Sequence, residues 1–94
     1  SDAQGALDIF FNFSPHVIIV DFNTDPAEIL NMIDKIRKHE EKSLSEPTII
    51  IAYQEESRYE GVGSKGIKMI DDFLTKPVSH KQLKEILKKH LLGM

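Results

Sequence analysis

Two polar residues stand where apolar runs of the sequence end, and their types suit phosphoryl chemistry. Asp21 directly follows the apolar run 17–20, and Lys76 follows the run 73–75. An aspartate carboxylate is a nucleophile toward phosphorus, and a lysine ammonium neutralises charge on phosphoryl oxygens. Taken singly, an aspartate at such a place is most often a turn or cap residue. The pair therefore becomes informative only if both runs end at the same edge of one sheet.

Three short strands and the helices between them would bring this pair together. Residues 17–20 and 48–52 are continuous runs rich in β-branched side chains, each entered through a proline. Such runs are typical of strands buried on both faces of a parallel sheet. Residues 73–75 form a third and weaker run. Strands that alternate with helices predict right-handed crossovers and a parallel sheet between helices, with functional groups at the carboxyl ends of the strands.

The helices differ in how clearly the sequence marks them. One begins after Asp25, with a proline and a glutamate in its first turn and apolar residues at helical spacing; the last is capped by Ser79. Residues 6–13 predict a short helix ahead of the first strand. Residues 37–46 are highly charged and predict a solvated loop. Residues 55–70 contain three glycines, so any helix there is expected to be weak.

The composition of the 94-residue chain excludes several functional classes. With 15 acidic against 12 basic residues, it does not predict binding to nucleic acid or to an anionic membrane. The absence of cysteine excludes disulfides, thiol nucleophiles and cysteine–zinc sites, and fits the reducing cytoplasm. No apolar run reaches the length of a membrane span. We therefore expect one small cytoplasmic domain over residues 1–94.

The quoted segments resemble the CheY-like receiver domains of two-component response regulators and hybrid histidine kinases. The resemblance is carried by residues 15–21, 47–52 and 71–78, and its most specific part is Phe-Leu-Thr-Lys-Pro after an Asp-Asp pair. It implies a flavodoxin-like α/β fold, in which helices flank a parallel sheet. It also implies that residues 1–94 form one partial domain, which lacks the first strand, the first helix and the second strand of the family pattern.

The resemblance implies a role in a phosphorelay. Asp21 would accept a phosphoryl group from a phosphohistidine of a histidine kinase or a histidine phosphotransfer protein, and Lys76 would contact the phosphoryl oxygens. Asp21 and the backbone carbonyl of Asn23 would bind Mg²⁺, provided that the acidic pair of the family is supplied from elsewhere. Phe73 matches the aromatic residue that changes rotamer on activation. Ala52 matches a Thr or Ser that bonds the phosphoryl group, and alanine has no hydroxyl.

Three functional hypotheses stay open at this point. Asp21 and Lys76 favour a phosphoacceptor receiver domain. Ala52 and the missing acidic pair favour a degenerate receiver that acts through protein contacts without phosphorylation. A small phosphohydrolase is less favoured, because its nucleophile motif is Asp-x-Asp whereas this chain has Asp21-Phe22-Asn23. The first two hypotheses imply a domain that is not an enzyme, unless it forms part of a hybrid histidine kinase.

The strand at residues 17–20 would lie at an edge of the sheet if the first strand of the family pattern is missing. An apolar edge strand tends to pair with another chain unless it is covered. We expect the cover to be a second copy of the chain in a homodimer, the apolar N-terminal segment, or residues upstream.

Overall fold

Helices and strands alternate along the chain in the computed structural model, which describes residues 15–22, 25–55 and 63–92. The elements follow in the order β1 (Val17–Asp21), α1 (Pro26–Ser43), β2 (Ile49–Gln54), α2 (Gly63–Met69), β3 (Asp72–Thr75) and α3 (His80–Leu91). None of the helices in these residues combines the length and the apolar character that crossing a membrane requires. The predicted helix at residues 6–13 and the predicted metal ligand Asn23 lie outside the described residues.

The three strands form one parallel sheet with β2 in the centre. Along β1 and β2, Val20 lies opposite Ala52 and Asp21 lies opposite Tyr53. Along β2 and β3, Ala52 lies opposite Phe73. The predicted flavodoxin-like arrangement of parallel strands and helices is confirmed, and all three strands end at the same edge of the sheet.

The hydrophobic core fills the space between one face of the sheet and α1. The apolar residues of α1 repeat at i, i+3, i+4 and i+7, so they form one stripe that faces the strands. Each large side chain removed from water contributes about 1.5–3 kcal/mol, which makes this layer a major source of stability. The core cluster consists of Ile18, Val20, Phe22, Ile29, Met32, Ile33, Ile36, Ile50, Ala52 and Ile70.

The helix α1 is longer than the sequence predicts. It continues to Ser43, through the first part of the segment 37–46 for which the charged composition predicts a loop. The loop prediction is wrong there because two of the charged residues are not solvated. Glu40 is only 6% exposed and the Arg37 side chain is 20% exposed.

The Arg37 guanidinium ties α1 to the chain segments that enter β2 and β3. It donates to the carbonyl of Thr48 at 2.7 Å and twice to the carbonyl of Met69, at 2.8 and 3.0 Å. It also pairs with the carboxylates of Glu40 and Asp71, each at 2.9 Å. Glu40 in turn accepts the N–H of Thr48 at 2.6 Å. The charges of this network, of which Glu40 is the most buried, are therefore paired with one another and with main-chain groups.

Replacing Arg37 with alanine is expected to lower the free energy of unfolding by about 3 kcal/mol, because removing one partner of a largely buried ion pair leaves the other charge uncompensated. Lys38→Ala is the matched control, since Lys38 is the next residue on α1 and its pair with Asp34 lies in solvent. Its unfolding curve should match that of the unchanged protein. Urea denaturation gives the free energy of unfolding of both variants. Equal losses for the two substitutions would contradict this role of Arg37.

The second face of the sheet is covered only in part by α3. No residue of α3 is buried, and Ile19, in the middle of β1, is 45% exposed. A groove of about 300 Å³ lies between the sheet and the beginning of α3, and its apolar lining includes Ile19, Leu74 and Leu83. Among the described strands β1 pairs with β2 alone. In this part of the chain β1 therefore presents the apolar edge that the sequence predicts.

Asp72, the first residue of β3, anchors the end of α3. Its Oδ2 lies 2.9 Å from Nε2 of His90 and 3.2 Å from Nζ of Lys89, and its Oδ1 accepts the N–H of Phe73 at 2.9 Å. Burial by itself would raise the pKa of Asp72. The hydrogen bonds from His90, Phe73 and Lys89 together outweigh burial and hold this pKa below its ordinary value.

The lowered pKa of Asp72 predicts an acid-sensitive part of the stability. The ionised carboxylate stabilises the fold above its unfolded-state pKa of about 3.9, and this contribution is lost as the pH falls through the lower folded-state pKa. Asp72→Asn should therefore be less stable than the unchanged protein at pH 7 and should lose less stability on acidification. Denaturation midpoints measured from about pH 7 to about pH 2 test this. Parallel declines of the two proteins would contradict it.

Candidate functional site

Asp21 and Lys76 meet at the carboxyl edge of the sheet. The Lys76 ammonium lies 3.2 Å from Oδ2 and 3.4 Å from Oδ1 of Asp21. Because β2 separates β1 from β3, the lysine side chain passes across the end of β2 to reach the carboxylate. Its own backbone is fixed there, since the Lys76 N–H donates to the carbonyl of Gln54 at 2.9 Å. The structure thus brings together the two residues that the sequence pattern pairs.

A main-chain hydrogen bond fixes the backbone directly after Asp21, while the side chain of Asp21 stays accessible to solvent. Phe22 is buried in the core, and its N–H donates to the carbonyl of Tyr53 at 3.0 Å. The Asp21 side chain is 43% exposed and that of Lys76 is 26% exposed. A carboxylate that solvent can reach and that stands on a fixed strand end can be approached by a reactant while its own position stays defined.

Tyr53 is a third residue of the site, and the sequence pattern assigns it no role. It lies opposite Asp21 in the register of β1 and β2, so the two side chains share one face of the sheet. The Lys76 ammonium lies 4.6 Å from the centroid of the Tyr53 ring, a cation–π contact. Counting in steps of two along aligned strands is the signal that could have identified Tyr53.

Ala52 and Phe73, the residues matched to switch positions, belong to the other face of the sheet. Ala52 is fully buried in the core cluster, and its neighbours in register are Val20 and Phe73. Phe73 is half-buried and packs against the same cluster. Because Ala52 faces the core and has no polar side-chain atom, it contributes no hydrogen bond to the site. The switch role of Ala52 and Phe73 stays a prediction.

The described residues do not complete a magnesium site. Within the described part of the chain, no group of three or more His, Cys, Asp or Glu side chains could hold a metal ion. Mg²⁺ usually binds through one or two carboxylates together with waters and phosphate oxygens. Asp21 is one such carboxylate, but its oxygens face the Lys76 ammonium. Magnesium binding by Asp21 and Asn23 therefore stays a prediction.

Comparison with solved structures identifies the fold. The chain matches the signal receiver domain of a LuxO-like repressor protein from Vibrio parahaemolyticus with a TM-score of 0.76 and 22% sequence identity, over 97% of this chain and 66% of that one. It matches NtrX from Brucella abortus with a TM-score of 0.74 and 19% identity, over 98% of this chain and 19% of that one. The fold is that of a receiver domain. No protein-family model matches the sequence, and no curated protein matches it.

The receiver fold accounts for where the polar residues lie. In open sheets of this type, ligands bind beyond the carboxyl ends of the strands, and Asp21, Tyr53 and Lys76 occupy that position. The chain spans 66% of the solved receiver domain and about a fifth of NtrX. At this level of identity the comparisons establish the receiver fold alone.

Proposed function

We propose that the protein is a phosphorelay signalling domain in which Asp21 accepts a phosphoryl group from a phosphohistidine of a histidine kinase or a histidine phosphotransfer protein. The observation that carries the proposal is the contact of 3.2 Å between the Lys76 ammonium and the Asp21 carboxylate at the carboxyl edge of a sheet with the receiver fold. The proposed partners imply a cytoplasmic location, with which a chain without cysteine is in keeping.

The two residues have separate tasks in the proposed transfer. An Asp21 carboxylate oxygen attacks phosphorus, the bond between phosphorus and the imidazole nitrogen breaks, and that nitrogen retains the electron pair and takes up a proton. The product is an acyl phosphate on Asp21 and a neutral histidine on the partner. Lys76 already lies beside the attacking carboxylate, so its ammonium is placed to neutralise the negative charge that the phosphoryl group brings.

Incubation with acetyl phosphate and Mg²⁺ should add the mass of one phosphoryl group to the protein, and Asp21→Asn should prevent this addition. Lys76→Met should lower the phosphorylated fraction, because the charge that neutralises the phosphoryl oxygens is lost. Intact-mass spectrometry measures all three proteins.

Asp25→Asn is the matched control for this experiment. Asp25 is the N-cap of α1 and accepts the N–H of Glu28 at 3.2 Å, and asparagine caps helices equally well. This variant should be phosphorylated like the unchanged protein. Addition of a phosphoryl group to Asp21→Asn, or no addition to the unchanged protein, would contradict the proposal.

A receiver-fold module that binds protein partners without being phosphorylated is the second candidate. Two observations favour it: Ala52 has no hydroxyl for a phosphoryl group, and the described residues hold no cluster suited to a metal ion. This function predicts that a histidine kinase domain binds the unchanged protein and Asp21→Ala with the same Kd, with or without EDTA. Calorimetric titration measures these values. Weaker binding of Asp21→Ala, or weaker binding in EDTA, would count against the second candidate.

A further inference from the structure

We infer that Tyr53 is a positioning residue, whose aromatic ring holds the Lys76 ammonium against the Asp21 carboxylate. The inference rests on the proposed function in one respect, because it is the transfer to Asp21 that would use the positioned ammonium. The placement of Lys76 by Tyr53 can be tested separately from any phosphoryl chemistry.

The carboxylate alone is a weak means of fixing Lys76. A lysine side chain is a flexible four-carbon stem that ends in a compact charge, and ion pairs that solvent can reach do little to restrict it. Both partners are partly in solvent here, with Lys76 at 26% and Asp21 at 43% exposure. The Tyr53 ring adds a second contact, 4.6 Å from the ammonium to the ring centroid. Lys76 is thus held between a carboxylate and an aromatic face.

The backbone that carries the Tyr53 ring is fixed on both sides. Tyr53 belongs to the central strand and is paired in register with Asp21 on one side and Leu74 on the other. Its carbonyl accepts the N–H of Phe22 at 3.0 Å. The side chain also borders the apolar groove, next to Ile19 and Leu74. A side chain with two rotatable bonds, on the most constrained strand, can therefore restrict the longer and more mobile lysine.

The positioned ammonium matters more at this site because Ala52, which matches a Thr or Ser position of the receiver family, supplies no hydroxyl. Ala52 is buried in the core and has no hydroxyl. Lys76 lies beside the Asp21 carboxylate, so its positive charge is available to a phosphoryl group on Asp21. A charge that is already in place stabilises a transition state better than one that must first be ordered.

The placement of Lys76 can be tested by NMR in the protein without any phosphoryl donor. Ring current from Tyr53 should shift the Lys76 ε-methylene protons upfield, and these protons should show nuclear Overhauser effects to the Tyr53 ring. Tyr53→Phe keeps the aromatic face and should preserve the upfield shift. Tyr53→Leu keeps apolar bulk without an aromatic face and should return the Lys76 protons to the position of a free lysine.

The functional consequence can be tested with beryllofluoride and Mg²⁺ as a mimic of the phosphoryl group. Tyr53→Phe should bind the mimic as the unchanged protein does. Tyr53→Leu should bind it about two- to tenfold more weakly, the factor that corresponds to loss of one partly exposed cation–π contact. Titrations followed by heteronuclear NMR give both affinities and show at the same time that each variant is folded.

Several outcomes would overturn the inference. If the Lys76 ε-methylene protons of the unchanged protein show no upfield shift, the inference is wrong, even if Tyr53→Leu does not fold. Equal or tighter binding of the mimic by Tyr53→Leu would overturn it as well, and would leave the phosphoacceptor role of Asp21 standing. If the unchanged protein binds no mimic at all, the proposed function fails, and the NMR shifts alone decide whether Tyr53 positions Lys76.

Discussion

The parallel pairing of β1 and β3 with β2 is the constraint on which the site depends. Since all three strands run in the same direction, their carboxyl ends share one edge, and residues far apart in sequence end side by side. The outer strands are about 10 Å apart, twice the spacing of neighbouring strands, so a long side chain has to bridge them. Lys76 has that length, and it reaches Asp21 across the end of β2, where Tyr53 supports it. Antiparallel pairing of either outer strand would separate the two charges.

The two faces of this sheet differ in how completely helices cover them. The face toward α1 is closed by a continuous apolar core, and the Arg37 network locks α1 to the chain that enters β2 and β3. That network lies at the amino ends of the strands, away from Asp21. The face toward α3 is covered less completely, and Asp21 and Tyr53 share it with the exposed Ile19. Stability therefore comes mainly from one layer, while access to the carboxylate comes from the other.

Much of this arrangement can be predicted from sequence because the signals are local. Apolar runs mark the strands, and the charged residues Asp21 and Lys76 each follow directly after such a run. The sequence alone therefore suffices to pair them. The full length of α1 could not be predicted, since Arg37 and Glu40 look like solvated charges and their main-chain partners lie 8 to 32 positions away. Tyr53 is missed for a related reason: its place beside Asp21 follows from the register between β1 and β2, which shows only when the two segments are aligned with each other.

Side chains alternate along β2, so consecutive residues of this strand face the site and the core. Tyr53 faces Asp21, while the preceding residue, Ala52, faces the core and lies next to Phe73 in register. A hydrogen bond from residue 52 to a phosphoryl group is excluded by the chemistry of alanine. Any influence of Asp21 on Phe73 would therefore pass through the backbone of β2, through Lys76 and the backbone of β3, and through packing. Since close-packed interiors transmit strain, a displacement of the end of β2 would change the packing around Phe73.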